Sequence, residues 1–376
     1  MTISSSILKR VLDLAVTIQQ IPAPTFAEKE RAGFLLEAFT RENLVDVAVD
    51  NLSNVFARFP GSGYRRAVIV SAHTDTVFPQ EVDLGLTRQS ERITGPGIGD
   101  NALGVAGLFG LLWSLRDGLA KGEERLAGDV WLVANTGEEG LGDLRGMQGV
   151  VERFGDEPLA YIILEGLSLG QVFHRGLGSR RYRITTRTGG GHAWVDYGRP
   201  SAIHVLAELV TQLTALQLPT EPRSSLNVGK INGGISVNTI AAEATLELDL
   251  RSENPQVLAG IASCVEDLVR NANREGEQFV GATAEVIGDR PPGEIPADHA
   301  LVRLAVKCLE AQGYPARLNI GSTDANIPLS RGLPAICLGL SVGGGAHTPE
   351  EYILTRPLAG GLAQLVDVVR GVFQHI

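Results

Sequence analysis

Four short apolar runs constrain the fold of this chain more than any other feature: Ala67–Ala72, Val130–Ala134, Tyr161–Leu164 and Ala335–Leu340. Each has the length of a strand and none alternates apolar with polar positions, so each reads as a strand buried on both faces. Amphipathic stretches such as Ala27–Thr40 and Ala102–Leu115 separate several of them. Buried strands alternating with helices predict an α/β domain, a mixed and mostly parallel sheet with helices on both faces.

The middle of the chain carries a different period. Arg181–Thr188 and Ala244–Arg251 alternate apolar with polar residues, as half-exposed strands do. Between Ser179 and Gly288 the order reads strand, helix (Ser201–Leu216), strand (Ser225–Ile231), strand (Glu243–Arg251), helix (Pro255–Asn273), strand (Phe279–Ile287). That is β-α-β-β-α-β, the ferredoxin-like order. The proline-rich stretch Arg290–Pro296 would carry the chain back. At 376 residues two domains are expected. One is discontinuous, residues 1–176 and 291–376. The other is an α+β insert, residues 177–290.

Bulk properties exclude several classes. A net charge of −10 argues against broad nucleic-acid binding, which needs a basic face. Cys264, Cys308 and Cys337 are odd in number and far apart, so neither a disulfide framework nor a thiolate zinc site is expected. Met1–Gln20 has a polar start and an amphipathic pattern (Ile7, Leu8, Val11, Leu12, Leu14, Ala15, Ile18), without the apolar core and cleavage site of a signal peptide. The longest apolar run, Leu103–Leu115, is shorter than the roughly 20 residues of a membrane span. A soluble, cytoplasmic protein with no membrane partner is the expectation.

Ligands of open α/β folds collect at the carboxyl ends of strands, and here those ends are charged. The first buried run leads into His73-Thr74-Asp75, the second to Glu138-Glu139, the third to Glu165 and the fourth, through a glycine-rich turn, to His347. Asp100 lies in the loop Gly95–Asn101, before an apolar helix. Imidazole nitrogen and carboxylate oxygen are zinc donors. Two neighbouring ions need one shared carboxylate and about two further ligands each, a count that two histidines and three carboxylates meet. A metal can lower the pKa of a bound water to about 7. Asp75 could orient His73 from behind, and of two adjacent glutamates one can bind metal while the other moves protons.

Each piece also has an ordinary reading. Paired glutamates are usually solvated surface, Asp100 could cap the following helix, and His347 could be a loop histidine. Glu165 is harder to explain so, because a carboxylate ending a buried strand needs a partner. The joint pattern favours metal.

Taken together, SAHTDTVFP (Ser71–Pro79), GPGIGDNALGVAG (Gly95–Gly107), NTGEEGLGDLRG (Asn135–Gly146), ILEG (Ile163–Gly166), GGGHAW (Gly189–Trp194), INGGISVNTIAAEATLELDLR (Ile231–Arg251), GSTDANIP (Gly321–Pro328) and GGGAHTPEEY (Gly343–Tyr352) carry a resemblance. The chain resembles the di-zinc exopeptidase and aminoacylase family that includes peptidase T, glutamate carboxypeptidase, succinyl-diaminopimelate desuccinylase and acetylornithine deacetylase. The resemblance implies a bridging Asp100, with His73 and Glu165 completing one metal site and Glu139 and His347 the other. It makes Asp75 the orienting residue of His73, Glu138 the general base, and His192 the group that stabilises the oxyanion. Asn238 and Arg251 would bind substrate, Arg251 a carboxylate through its fork. It implies two divalent ions, zinc first, with cobalt or manganese as alternatives. The insert would be a lid, hinged near Gly176 and Pro291, and a homodimer contact. One departure stands out: relatives often carry a lysine after the bridging aspartate and its neighbour, and here Ala102-Leu103-Gly104 follows Asp100-Asn101, which weakens any transfer of substrate preference.

Other features are assigned no chemistry. Arg175, Arg180, Arg181, Arg183 and Arg187 could bind an anion, but alternation favours the charged face of an edge strand. His174, His204, His299 and His375 lie outside the motifs. Ser322, Thr323 and Asn326 could line the pocket or merely shape a turn, and Gly343–Gly345 could let the backbone approach substrate. The expected activity is metal-dependent hydrolysis of an amide bond in a small peptide. An N-acyl amino acid deacylase is the alternative, and a non-catalytic metal or small-molecule binding module the remote one.

Overall fold

Val68–His73, Val130–Asn135, Ala160–Glu165 and Ala335–Gly339 are strands. They form the parallel centre of a nine-stranded sheet in the computed structural model, which describes residues 2–63, 65–276 and 279–376. Antiparallel strands flank this centre. Val45–Val49 and Val55–Phe59 lie beside Val130–Asn135, and Gln171–Gly176 with Gly293–Glu294 lies beyond Ala335–Gly339. The register sets His73 opposite Asn135 and Glu165 opposite Gly339. Parallel strands in this register end level, so the charged residues that follow them share one edge.

Helices cover the sheet because their apolar stripes have nowhere else to go. Ser5–Gln19 buries Ile7, Val11, Ala15 and Ile18, and Ser4 caps it through Ile7 N–H at 3.3 Å. Gly104–Ala120 is buried almost all round. Counted together with the kinked turn Ile98–Leu103 before it, the segment Ile98–Ala120 is 23 residues long and apolar enough by composition to cross a membrane, longer than the run Leu103–Leu115 alone suggested. Its placement answers the question instead: 94% of its apolar window is buried inside the protein, where it packs on Val68–His73, Ser5–Gln19 and Leu358–His375. Gly110 permits that approach, since a Cβ there would lie 2.8 Å from Leu362 and 2.9 Å from Val11.

The chain forms two compact units, Met1–Gly176 with Gly293–Ile376, and Leu177–Pro292. The second has the ferredoxin-like arrangement. Its strands, in sheet order, are Ser224–Gly233, Glu243–Ser252, Gly178–Thr188 and Val280–Arg290, all antiparallel. Ala202–Thr214 and Pro255–Asn271 cover one face, and Asn254 caps the second of these, with Pro255 in its first turn. Glu243–Ser252 alternates buried and half-buried residues along its length, as a sheet covered on one face must. The sequence reading lacks one element, the ribbon Gly191–His192 with Thr239–Ile240.

The arginine cluster is a set of ion pairs. Arg175 meets Glu294 at 2.9 Å, Arg180 Asp289 at 2.6 Å, Arg181 Asp249 at 3.0 Å, Arg183 Glu247 at 3.2 Å and Arg187 Glu243 at 2.8 Å. Cross-strand charge pairs of this kind favour the charged-face reading over an anion site.

Candidate metal centre

His73 ends its strand with its side chain 1% exposed. Its Nε2 lies 3.1 Å from Asp100 Oδ1 and 3.6 Å from Glu165 Oε2. His347 lies at φ +66° in the turn after the fourth central strand. Its Nε2 lies 3.0 Å from Asp100 Oδ2 and 3.2 Å from Glu139 Oε1. The two oxygens of Asp100 thus face one imidazole each, with a second carboxylate beside each imidazole. Donor atoms of His73, Asp100 and Glu139 all lie within 4.8 Å of one another.

The ordinary readings can now be compared with position. Glu138 and Glu139 are both buried, not solvated. Asp100 interrupts the turn Ile98–Leu103 at φ −113°, ψ 87°; the next helix begins after Leu103 with no side-chain cap, so Asp100 is no helix cap.

Asp75 differs in detail from the expectation. The nearest Asp75 atom to His73 Nδ1 is the main-chain carbonyl at 3.2 Å, with the carboxylate at 3.6 Å. That carboxylate accepts instead the main-chain N–H groups of Glu138 and Glu139 and the Thr25 hydroxyl, each at 2.9 Å. It shapes the glutamate turn as much as it orients the imidazole.

Three further residues hold the site, and the sequence reading passed over them. Thr25 is one. Asn101 is fully buried: its Nδ2 donates to Leu164 O and its Oδ1 accepts from Gly166 N–H, both at 2.9 Å, gripping the backbone on either side of Glu165. Arg31 is buried under the His73 turn, donating to Thr74 O at 2.6 Å and Ile21 O at 3.0 Å. A signal for Arg31 existed, since it shares the buried stripe of its helix with Leu35 and Phe39, where a cation is out of pattern. Thr25 and Asn101 have no such signal.

The electrostatics follow from burial and charge. Burial pushes Glu165 up to about 7 against the pull of His73. Asp100 is held low; burial opposes this, and His347 and His73 outweigh it. Asp75 is lowered as well, because His73 and the Glu138 and Glu139 amides outweigh burial. His73 is raised well above the usual imidazole value, since Asp100, Asp75 and Glu165 outweigh its burial. Asp100 and Glu139 raise His347 to about 10. Two imidazoles forced toward the cationic form by a ring of carboxylates form a site that lacks positive charge. Divalent ions would supply it, and nitrogen and carboxylate donors suit them.

In the second unit, His192 Nδ1 accepts the main-chain N–H groups of Trp194 and Val195 at 3.2 and 3.3 Å. Asn238 lies beside it, its carbonyl accepting Ala193 N–H at 3.0 Å. Arg251 is elsewhere in this unit, on the four-stranded sheet, bonded to Asp249 at 2.7 Å. His192 pairs with Thr239, just before the strand that starts at Glu243. From Glu243 to Arg251 is about 27 Å at the rise of an antiparallel strand. His192 and Asn238 sit together, and Arg251 sits at the far end.

The profile of peptidase family M20/M25/M40 matches residues 69–371. An acetylornithine deacetylase of Erwinia tasmaniensis is 29% identical over 334 residues, covering 84% of this chain and 83% of the relative. Among solved structures, a tripeptidase from Staphylococcus aureus has a similar fold at TM-score 0.80 and 20% identity, covering 98% of this chain and 99% of that one. Aminopeptidase PepT from Bacillus cereus matches at TM-score 0.79 and 19% identity, covering 97% and 98%. A Bacillus subtilis protein described as a dinuclear metal binding peptidase matches at TM-score 0.69 and 16% identity, covering 99% and 100%. With most of its length inside the family profile, this chain belongs to peptidase family M20/M25/M40 and is a metal-dependent amide hydrolase.

Proposed function

We propose that the protein hydrolyses an amide bond of a small peptide at a two-metal centre held by His73, Asp100, Glu139, Glu165 and His347. The observation that carries this reading is Asp100, whose oxygens face His73 and His347 at 3.1 and 3.0 Å, as a carboxylate shared by two ions requires. His73 and Glu165 would serve one ion, Glu139 and His347 the other, zinc being the first choice. Such ions supply Lewis-acid polarisation of the scissile carbonyl and a nucleophilic water at neutral pH.

Other steps fall to the chain's own side chains. Glu138 is buried next to Glu139 and takes the proton of the attacking water, later delivering it to the leaving amine. His192 accepts two amides at Nδ1, so its neutral form carries its proton on Nε2, the tautomer that donates to a developing oxyanion. Asn238 and Arg251 bind substrate, Arg251 exchanging or sharing its Asp249 contact for a substrate carboxylate. One small substrate does not touch both Arg251 and the His192–Asn238 pair of one chain, because these lie toward opposite ends of a strand about 27 Å long from Glu243 to Arg251. A homodimer in which the partner supplies His192 and Asn238 resolves this. Support comes from the unpaired edge strand Ser224–Gly233 and from Trp194, Val195, Tyr197, Ile235 and Val237, which are all strongly exposed.

Fold likeness to a tripeptidase and an aminopeptidase supports peptides as substrates. Sequence likeness to acetylornithine deacetylases supports a second reading, removal of an acyl group from an amino acid. A mass-scored panel on zinc- and cobalt-loaded enzyme separates them, setting di- and tripeptides against N-acetyl, N-succinyl and N-formyl amino acids, with Glu138→Ala as control. Cleavage of peptides alone is expected. Cleavage of acylated amino acids alone would replace the first reading by the second, and silence with metals bound would leave a binding module.

A further inference from the structure

Glu351 lies four residues beyond His347 and is fully buried. Its Oε1 accepts the main-chain N–H of Gly99 at 2.6 Å and of Asp100 at 2.7 Å, and its Oε2 accepts that of Gly97 at 3.3 Å. Its own carbonyl accepts Gly95 N–H at 2.8 Å, and its own N–H donates to Thr348 O at 3.1 Å. One residue therefore fastens the loop that presents Asp100 to the turn that presents His347. The donors it satisfies belong to the start of a helical turn, where N–H groups lack intrahelical acceptors. The packing is tight: a Cβ on Gly99 would lie 2.7 Å from Leu167 and 3.1 Å from Glu351 Oε1. Among the described residues a buried carboxylate with three main-chain donors from the Asp100 loop occurs nowhere else in the site.

We propose that Glu351 is a positioning residue that sets the distance between Asp100 and His347, and with it the affinity of the site for the divalent ion those two would share. The proposal rests on reading Asp100 and His347 as metal ligands. It differs from a purely electrostatic role, in which Glu351 would only add negative charge beneath the ions. Two conservative substitutions separate these ideas. Glu351→Gln removes the charge, yet its amide oxygen can still accept from Gly99 and Asp100. Glu351→Asp keeps the charge but withdraws it by about 1.5 Å, one carbon–carbon bond, from all three donors.

Metal-free wild type and both variants would be titrated with cobalt(II), followed by visible absorption, with far-UV circular dichroism to check folding. Glu351→Gln should bind two ions with affinity within about threefold of wild type, and Glu351→Asp about 10–100-fold more weakly with altered absorption bands. Wild-type affinity in Glu351→Asp, or weaker binding in Glu351→Gln than in Glu351→Asp, overturns the proposal. If Glu351→Asp does not fold, the glutamine variant decides alone: retained affinity supports the positioning role, and a loss beyond about tenfold overturns it. A wild type that fails to bind two cobalt ions overturns the metal reading itself, before any variant is compared.

Discussion

The carboxylate of Asp75 accepts the main-chain N–H of Glu138 at 2.9 Å. Its other oxygen accepts Glu139 N–H and the Thr25 hydroxyl, so it governs how two adjacent glutamates leave the strand end. Asp75→Asn would turn an NH₂ toward at least one of these donors. The expected result is a fall in kcat of about 10–100-fold with metal content unchanged, checked by steady-state kinetics and metal analysis on the same sample. Wild-type kcat would falsify the turn-holding role.

Adjacent glutamates should separate cleanly. Glu138→Ala should keep both metals and lose about 10²–10⁴-fold in kcat. Glu139→Ala should lose an ion, because its Oε1 is the carboxylate oxygen beside His347 other than Asp100. Atomic absorption and turnover measured together distinguish the pair, and equal metal loss in both variants would reject the division of roles.

Metal binding should release protons. Asp100 and Glu139 raise His347 to about 10 in the metal-free protein, so at neutral pH an incoming ion displaces a proton. Affinity should therefore rise with pH. The sign for the metal-free fold is opposite: a raised histidine pKa stabilises fully below about 6.5, and this contribution is lost as pH climbs through about 10. Calorimetric titration in buffers of different ionisation enthalpy counts the protons, and a count that is unchanged in His347→Ala would contradict the assignment.

Arg31 should matter to stability as well as rate. Its guanidinium is buried, with its pKa lowered by burial to about 10 against the opposing pull of Asp75. Arg31→Ala would strand the Ile21 and Thr74 carbonyls and leave a cavity, destabilising by about 2–5 kcal/mol. Urea unfolding gives the value; a loss under about 0.5 kcal/mol, the range of ordinary surface changes, would show that water replaces the side chain without penalty.

The proposed homodimer with shared sites predicts complementation. His192→Ala and Arg251→Ala should each be nearly inactive. Mixed and reassembled, they should recover about a quarter of wild-type activity, since half the dimers are mixed and each holds one intact site. No recovery, with mixed dimers verified by mass, would place both residues in the same chain's site.

The central strands and the ferredoxin-like order were legible because period and apolarity are local properties. The candidate ligands His73, Glu139 and Glu165 stood out because each ends or closely follows a buried strand, and Asp100 and His347 because of the loop and glycine-rich turn that carry them. Asp75's true partners were not, since Thr25 comes from a segment 50 positions away. Nor was Asn101, whose role depends on Leu164 and Gly166 meeting its amide. The apolar helix was read too short because Asp100-Asn101 and Arg116-Asp117 bound its apolar run on either side, while Gly104, Gly107 and Gly110 within it, residues that weaken an isolated helix, let this one pack closely.

By itself the sequence determined which residue types end which strands, and hence that nitrogen and carboxylate donors would gather on one edge of a parallel sheet. Only the tertiary structure decided how they face one another. Strand register sets His73 and Glu165 level, and long-range hydrogen bonds hold Asp100 between two imidazoles that lie 274 positions apart. Element type depends on neighbours along the chain, whereas the angle and distance between two side chains depend on everything packed between them.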